Sequence, residues 1–414
     1  MSMRKNLLSL SVVGGSLLFG LSMLFTSCEG TLDDVFGEWD RPSGNDPAYS
    51  VTSITLDETS LELFVEGGEK TATLTATLVG DPGNEKVEFS SGDDTKATVD
   101  PTTGEVTAVS GGEVTIYANI GPTLQAQCKV MVYDRLHNIS TDGAANIPDE
   151  KLWMITGNGS DKITIGEGSI AYLKDVTITT TADPCIETTG MGEIYLVDGT
   201  TNTMDAHSAT KLAAIDTKGG QLTIFGQTEG TGKLIATGGD YGAGIGGSLN
   251  GNYNSIVIKG GEIEANGGSG AAGIGSGQFD GASSFYTNGD IIILGGKVTA
   301  KGGVGAAGIG TGVQASGTNP ATCGAIKIDK TVVSVTAIMS SGAQEPIGKG
   351  HSDVSTYPVC GAIFFDTQEV AESAHGGASA YTTAPTNGNT YGGLKLAKTD
   401  TSLSGDTWTL TPAP

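Results

Sequence analysis

The sequence predicts an all-β protein in which an N-terminal antiparallel β-sandwich precedes a single-stranded parallel β-helix (solenoid) of about seven coils. Three observations lead to this fold class. Glycine occupies 65 of 414 positions, about twice its average share, without the three-residue period of collagen. Apolar residues alternate at period two over residues 51–133. From about residue 160 onward the sequence repeats itself about every 30 residues, which is typical of a solenoid.

Residues 1–27 are predicted to be a targeting segment and not part of the fold. Arg4 and Lys5 precede an apolar run that ends at Phe25, and Ser27-Cys28 follows. A small residue before a cysteine at this place resembles a bacterial lipoprotein signal. The resemblance implies that Cys28 becomes the lipidated N-terminus of the mature chain. An ordinary secretory signal or an uncleaved anchor is the alternative.

Residues 28–50 are predicted to be an acidic flexible tether, because carboxylates alternate there with Gly, Pro and Ser. Acidic residues directly after the cysteine resemble the export signal of Bacteroidetes surface lipoproteins. This implies an outer-membrane or cell-surface location. Beyond Cys28 no apolar stretch approaches the roughly 18 residues of a membrane span, so the lipid is the expected membrane attachment.

The charge balance excludes some partners. A formal net charge of −24 argues against nucleic acid and anionic membrane surfaces. Arginine occurs only at Arg4, Arg41 and Arg135, so arginine forks for phosphate are absent from the last two-thirds of the chain. No CxxC motif or Cys/His cluster points to a metal, and no cofactor is predicted.

Residues 51–133 are predicted to form the sandwich, with about seven short strands separated by turns such as Gly67-Gly68. The runs from Val87 to Ser91, from Gly112 to Ile116 and from Cys128 to Val132 resemble the bacterial Ig-like group 2 (BIG2) module. Phe89 stands where that family often has tryptophan. The resemblance implies a stalk or adhesion unit on a cell surface. The single Cys128 is expected to be a buried small hydrophobe.

Residues 140–414 are predicted to form the glycine-rich β-helix. The stretches 258–268 and 293–303 align without gaps, and both continue into Ala-Gly-Ile-Gly-x-Gly. Each repeat holds three short strands with glycine corners, so stacked coils at about 4.8 Å would place equivalent side chains in internal columns. The predicted columns are Leu222/Ile256/Ile291/Ile326/Ile363, Leu234/Ile263/Val298 with Ala236/Ala265/Ala300, and Ile186/Ile215/Ile245/Ile274/Ile309/Ile347.

Two other folds compete with this interpretation, a β-propeller and a row of further sandwiches. Propeller blades carry four strands in about 40–45 residues, whereas these repeats carry three. The Gly-Ala-Gly-Ile-Gly repeats, Cys323-Gly-Ala-Ile326 and the tail from Tyr391 to Leu410 are similar to glycine-rich β-helices of gut bacterial surface proteins and to a β-helical carbohydrate-binding domain family. This likeness implies a carbohydrate-binding scaffold, but it involves mainly fold-forming residues.

Because β-helices also carry polysaccharide lyases and hydrolases, catalytic residues need consideration. The repeat register places Lys233, Glu262 and Lys297 in one outward column, and charge pairing between neighbouring coils accounts for it without catalysis. Glu262 and Glu264 are a possible carboxylate pair among many acids. The four histidines fall at unrelated repeat positions. No catalytic residue is assigned.

Four loops are predicted to leave the same corner of the coil, at residues 247–254, 277–289, 312–323 and 350–360. Aromatic rings among amides and carboxylates suit the apolar faces of sugars. The predicted glycan-contact residues on these loops are Tyr253, Phe279, Phe285, Tyr286 and Tyr357. Alternatively, the rings fold over the sheet and cap the loops.

Cys323 and Cys360 both precede Gly-Ala-Ile, so they are predicted to be neighbours on adjacent coils, with Cα atoms less than about 7 Å apart. Free thiols are expected there, because aligned parallel side chains seldom reach the torsion of a disulfide.

The whole sequence predicts a non-enzymatic surface lipoprotein, an adhesin that binds a polysaccharide or a host-cell glycan. A polysaccharide-degrading enzyme and a purely structural repeat protein are the alternatives.

Overall fold

A computed structural model describes residues 50–281, 288–317, 319–343, 345–355, 357–371, 385–401 and 405–414. The predictions for residues 1–49, including lipidated Cys28, and for Phe285 and Tyr286 therefore lie outside the described residues. The described chain is all-β apart from one four-residue helix, Ile139–Asp142. The predicted all-β class is confirmed.

The N-terminal unit is an antiparallel β structure with its own core. Its strands in the described chain are Ser53–Leu56, Ser60–Glu66, Thr71–Thr73, Ala76–Val79, Glu88–Ser91, Ala97–Val99, Glu105–Ala108, Gly112–Ile120 and Leu124–Asn138. One pairing, between Ser60–Glu66 and Leu124–Asn138, is parallel. Leu63, Val106, Ile116 and Val130 fill the core because alternate residues of each strand point inward. Cys128 is buried as predicted, and burial raises the pKa of its thiol to about 11.

The strand Leu124–Asn138 continues past the N-terminal unit. Its first part pairs antiparallel with Gly112–Ile120, while Arg135 to Asn138 pair parallel with Trp153 to Thr156. The same strand therefore belongs to the sheet of the N-terminal unit and to the first parallel sheet of the repeat region. A shared strand leaves no flexible linker between the two units.

A row of aromatic rings follows the outer face of this junction. The centroids of consecutive rings lie 4.5 to 5.3 Å apart, from Phe64 through Tyr133, Tyr172 and Tyr195 to Phe225. The row ends where Lys259 Nζ lies 4.7 Å from the Phe225 ring centroid. Contacts of this kind each contribute about 0.5–1.5 kcal/mol beyond area burial, so the row stiffens the junction.

The repeat region contains three stacks of parallel strands, which the chain visits in turn. The first stack contains Leu152–Gly159, Ser169–Thr179, Gly192–Leu196, Leu222–Gly226, Ile256–Ile258, Ile291–Ile293, Ile326–Ile328 and Ile363–Phe365. The second starts on the ends of Leu152–Gly159 and Ser169–Thr179 and continues with Thr201–Asp205, Lys233–Thr237, Glu262–Asn266, Lys297–Lys301 and Ser334–Ile338. The third contains Ala145–Ile147, Ile163–Ile165, Ile186–Thr188, Ile215–Asp216, Ile245–Gly246, Ile274–Gly275, Ile309–Gly310 and Ile347–Gly348. This nearly closed parallel arrangement is compatible with a β-helix.

The predicted side-chain columns are confirmed by the strand register. Leu222, Ile256, Ile291, Ile326 and Ile363 pair in sequence along the first stack. The Leu234 and Ala236 columns occupy the second stack and the six isoleucines the third. Every member of these columns is at most 1% exposed. Repetition of one apolar side chain on successive coils therefore builds one continuous core.

Glycine directly follows the third-stack isoleucines of the later coils, Ile245, Ile274, Ile309 and Ile347. Gly246, Gly275 and Gly310 have φ values of 133° to 137°, which L side chains rarely adopt. A Cβ on Gly275 would also overlap the carbonyl oxygen of Gly310 on the next coil. The repeated Ile-Gly dipeptide thus follows from backbone conformation and from the close approach of neighbouring coils.

Antiparallel strands end the parallel stacking near the C-terminus. Gln368–Ala371 pairs with Ile363–Phe365, and Gly405–Pro412 pairs with both Ser334–Ile338 and Leu394–Thr401. Thr390–Tyr391 pairs with the start of Leu394–Thr401. The antiparallel strands therefore cover sheet edges that would otherwise be open to pairing with another chain.

Cys323 and Cys360 are direct neighbours, as predicted, with Cα atoms 4.5 Å apart. The expectation of free thiols is wrong, because the two sulfurs form a disulfide. Thr322–Cys323 and Val359–Cys360 are two-residue strands at the ends of long loops. The backbone there is not held in a long, regular sheet, so it accommodates the cross-link.

Candidate functional site

The predicted loops form a layer beside the third stack. Gln278 N donates to Tyr241 O at 3.0 Å and Val313 N donates to Gly270 O at 2.8 Å, so each loop returns to a turn that precedes a third-stack strand. Phe279–Asp280 pairs with Gln314–Ser316, and Gln314 also forms a bridge with Ser352. We call this set of loops, the described parts of residues 247–254, 277–289, 312–323 and 350–360, the loop layer.

Two of the predicted glycan-contact residues are not available to a ligand. Tyr253 is 1% exposed and belongs to the apolar core, and Phe279 is 3% exposed. Both rings are covered because the loops fold back, which agrees with the alternative that the rings cap the loops. Burial raises the pKa of the Tyr253 hydroxyl above its usual range. Tyr357, at 38% exposure, retains an accessible ring.

A groove of about 570 Å³ lies where the loop layer begins. The corners that follow Ile186–Thr188 and Ile215–Asp216 are short, whereas residues 247–255 form a long loop. This change in loop length leaves a step beside the third stack. Pro184, Leu212 and Leu249 supply apolar lining, and Glu187, Asp216 and Ser248 supply polar groups. We call this feature the Asp216 groove.

The polar side of the Asp216 groove is held by specific hydrogen bonds. Ser248 Oγ donates to Asp216 Oδ2 at 2.7 Å, and the Lys218 amide donates to Asp216 Oδ1 at 2.9 Å. Glu187 is the register partner of Asp216 on the preceding coil, and its Oε2 lies 3.0 Å from Lys162 Nζ. Burial raises the pKa of the Asp216 carboxyl, the two hydrogen bonds lower it, and the charge of Glu187 raises it further, with a net upward shift.

The raised pKa of Asp216 predicts a pH-dependent difference between the wild type and Asp216→Asn. Because the folded-state pKa exceeds the unfolded value of about 3.9, the carboxyl contributes stability at low pH and loses it as pH rises through the folded-state pKa. The asparagine variant cannot ionise. The free energy of unfolding of Asp216→Asn, measured by urea titration, should therefore rise relative to that of the wild type as the pH is raised from 4 to 8. A difference that does not change with pH would contradict this assignment.

The charged column of the second stack shows the predicted register, Lys233 beside Glu262 and Glu262 beside Lys297. Lys297 Nζ lies 2.9 Å from Glu262 Oε1, and Lys233 Nζ lies 3.4 Å from Glu264 Oε2. The hydrogen bond from Lys297 lowers the pKa of Glu262. Each carboxylate thus has a lysine on a neighbouring coil, which supports charge pairing as the role of these residues.

One arrangement was missed from the sequence. His207 Nδ1 lies 2.6 Å from Asp205 Oδ1, and Ser208 Oγ lies 3.1 Å from His207 Nε2. The signal was present as Asp-Ala-His-Ser, within four consecutive residues. The imidazole side chain is 62% exposed, so water competes for both hydrogen bonds and the contacts resemble a solvated turn. Within the described ranges, no group of three His, Cys, Asp or Glu side chains could hold a metal ion.

Comparisons with known proteins bear on the N-terminal unit. Searches of curated proteins and of solved structures found no match to this chain. In the part of the chain that the structure describes, no helix is long and apolar enough to span a membrane. Bacterial Ig-like modules of this kind occur in surface proteins, which is consistent with an extracytoplasmic protein. The family model of the bacterial Ig-like domain (group 2) matches residues 50–130, so the resemblance of that segment is confirmed.

Proposed function

We propose that the chain is a non-enzymatic bacterial surface protein, in which the Ig-like unit presents a parallel β-helix of about seven coils to a glycan. The observation that carries the proposal is the strand Leu124–Asn138, which belongs to both units. An Ig-like stalk that shares a strand with the β-helix holds the β-helix in a fixed direction. Such an arrangement suits display of a binding surface.

The β-helix part of the proposal is supported by the order of the stacks. The chain passes from the first stack to the second and then to the third before it begins the next coil. Matched columns such as Ile245 and Ile274 keep the same register from coil to coil. A solenoid of this type exposes long faces on which an extended polymer can lie.

Attachment through lipid on Cys28 gives the proposed location at the outer membrane or cell surface. We expect the native mature protein to begin at Cys28 and to carry acyl mass, because Ser27-Cys28 ends an apolar run. Intact-mass and N-terminal peptide spectrometry of protein extracted from membranes measures this. Cys28→Ala is the control and should lose the acyl mass. An N-terminus elsewhere without lipid would refute the anchor.

Glycan contact at the loop layer is proposed for Tyr357 together with Phe285 and Tyr286. Rings on two of the loops would stack on sugar units of one glycan chain, each contributing about 0.5–1.5 kcal/mol. Affinity should then rise with polymer length, because several weak contacts act together. The net charge of −24 disfavours nucleic acid as a partner, and no cofactor is required.

We expect calorimetry with a panel of soluble polysaccharides to detect binding without release of reducing ends. The double variant Tyr286→Ala/Tyr357→Ala should bind about five- to 150-fold more weakly, since it loses two stacking platforms of about 0.5–1.5 kcal/mol each. Tyr117→Ala, on the Ig-like unit, is the matched control and should bind as wild type does. New reducing ends would assign the protein to the enzyme class. Absence of binding to every glycan would favour a purely structural repeat.

A further inference from the structure

We propose that the Asp216 groove is a separate subsite for an uncharged sugar unit, distinct from the exposed rings of the loop layer. The proposal rests on the proposed function, since it assumes that the repeat region binds a glycan. It adds a place and a ligand class that the sequence did not indicate. The predicted contacts were all aromatic, and the described lining of this groove contains no aromatic ring.

The groove has the size and the mixed lining of a small-ligand site. Its volume of about 570 Å³ falls within the 300–1,000 Å³ that is usual for ligand pockets. Leu212 and Leu249 are partly exposed, so an apolar ligand face gains by covering them. A pyranose ring is amphipathic, with C–H groups on its faces and hydroxyls at its rim. That chemistry matches an apolar lining beside fixed hydrogen-bond acceptors.

The acceptors are already oriented before any ligand arrives. Each Asp216 oxygen accepts one protein hydrogen bond, from Ser248 Oγ or from the Lys218 amide, and a carboxylate oxygen has room for a second donor. Ser248 Oγ is fixed in turn, because it accepts from the Ala213 amide at 3.0 Å. Sugar hydroxyls are donors, so they complete this set. Orientation in advance lowers the entropic cost of binding.

The charges of the site disfavour acidic sugars. Asp183, Glu187 and Asp216 are opposed by Lys162 and Lys218, which leaves a net charge of −1 in a chain of net charge −24. Lys162 is engaged, since its Nζ lies 3.0 Å from Glu187 and 3.8 Å from Asp183. A uronate carboxylate would add a third negative charge beside Glu187 and Asp216. We expect uronic acid oligomers to bind at least tenfold more weakly than neutral oligomers of equal length.

The test is isothermal titration of the mature protein with neutral and uronic acid oligosaccharides. Thr189→Met places a large side chain without an aromatic ring at the exposed rim of the groove and should weaken binding of the neutral oligomer at least tenfold. Glu187→Gln with Asp216→Asn should narrow the difference between neutral and uronic acid oligomers, because it removes two negative charges. Glu262→Gln is the matched control, since that carboxylate pairs with Lys297 on the second stack, outside the groove. Circular dichroism verifies that each variant is folded.

The outcomes separate the subsite from the general function. Weaker binding in Thr189→Met, with unchanged binding in Glu262→Gln, supports the subsite. Unchanged binding in both Thr189→Met and the charge variant overturns the subsite while glycan binding by the chain stands. A failure of the wild type to bind any oligosaccharide overturns the proposed function and the subsite together. Tighter binding of uronic acid oligomers by the wild type overturns the proposed ligand class.

Discussion

The double variant Cys323→Ser/Cys360→Ser is expected to lose about 4 kcal/mol of folding free energy relative to wild type. The disulfide closes a segment with a sequence separation of 37 residues, and the loss follows from the entropy that this closure removes from the unfolded chain. The segment includes the loop that bears Tyr357, so the loop layer should lose protection first. Urea titration and limited proteolysis of residues 350–360 measure the two effects.

A reducing agent supplies the control for this variant. Cys128 and Cys185 are buried and form no disulfide in the folded chain. Reduction should therefore destabilise the wild type and leave the stability of the double variant unchanged. Equal urea midpoints for oxidised wild type, reduced wild type and the double variant would contradict a stabilising cross-link. If protease cleavage changes while the urea midpoints stay equal, the predicted loss of about 4 kcal/mol is refuted and the disulfide stabilises only the loop layer.

Gly275→Ala is expected to destabilise the protein, reducing its free energy of unfolding by about 4 kcal/mol. Two costs combine at this position, a φ of 133° and overlap of the new Cβ with the carbonyl oxygen of Gly310. Gly230→Ala is the reference, because Gly230 has a φ of 63°, in the left-handed region that L side chains enter at modest cost, and no atom lies within 4 Å of the place that a Cβ would occupy there. The control should cost only about 1 kcal/mol.

Urea midpoints of the two glycine variants, compared with wild type, decide this prediction. A large loss in Gly275→Ala beside a small loss in Gly230→Ala shows that the φ of 133° and the close approach of coils together select glycine at position 275. Equal losses would show that neither of these features costs more than an ordinary left-handed position. Tolerance of both alanines would mean that neighbouring coils separate easily, which would remove the basis for the rigid third stack.

The core could be predicted from sequence because a solenoid repeats its packing. Once the Ala-Gly-Ile-Gly strings are aligned, Ile245, Ile274 and Ile309 must share one column, since each coil repeats the backbone of the one before. The same logic placed Cys323 beside Cys360. Their oxidation state did not follow, because it depends on local backbone freedom that an alignment does not contain.

The site was harder to predict than the core. Tyr253 and Phe279 were expected to face solvent, but a loop that folds back buries its rings, and sequence periodicity does not indicate the direction of a loop. The Asp216 groove arises from a change in loop length between neighbouring coils. Glu187 and Asp216 lie 29 positions apart and meet only through strand register. Similarly, the predicted limit at residue 133 fell inside the strand Leu124–Asn138.

The shared strand also has a mechanical consequence. Ser60–Glu66, near the start of the Ig-like unit, runs parallel to Leu124–Asn138, which leads into the repeat region, and six register pairs join the two strands. Tension applied between the N-terminal side of the unit and the repeat region pulls these strands in opposite directions along their length. The hydrogen bonds are then loaded together in shear and cannot open one after another. Stretching a single molecule by its ends should therefore rupture this pair at a higher force than the antiparallel C-terminal hairpin, which unzips pair by pair.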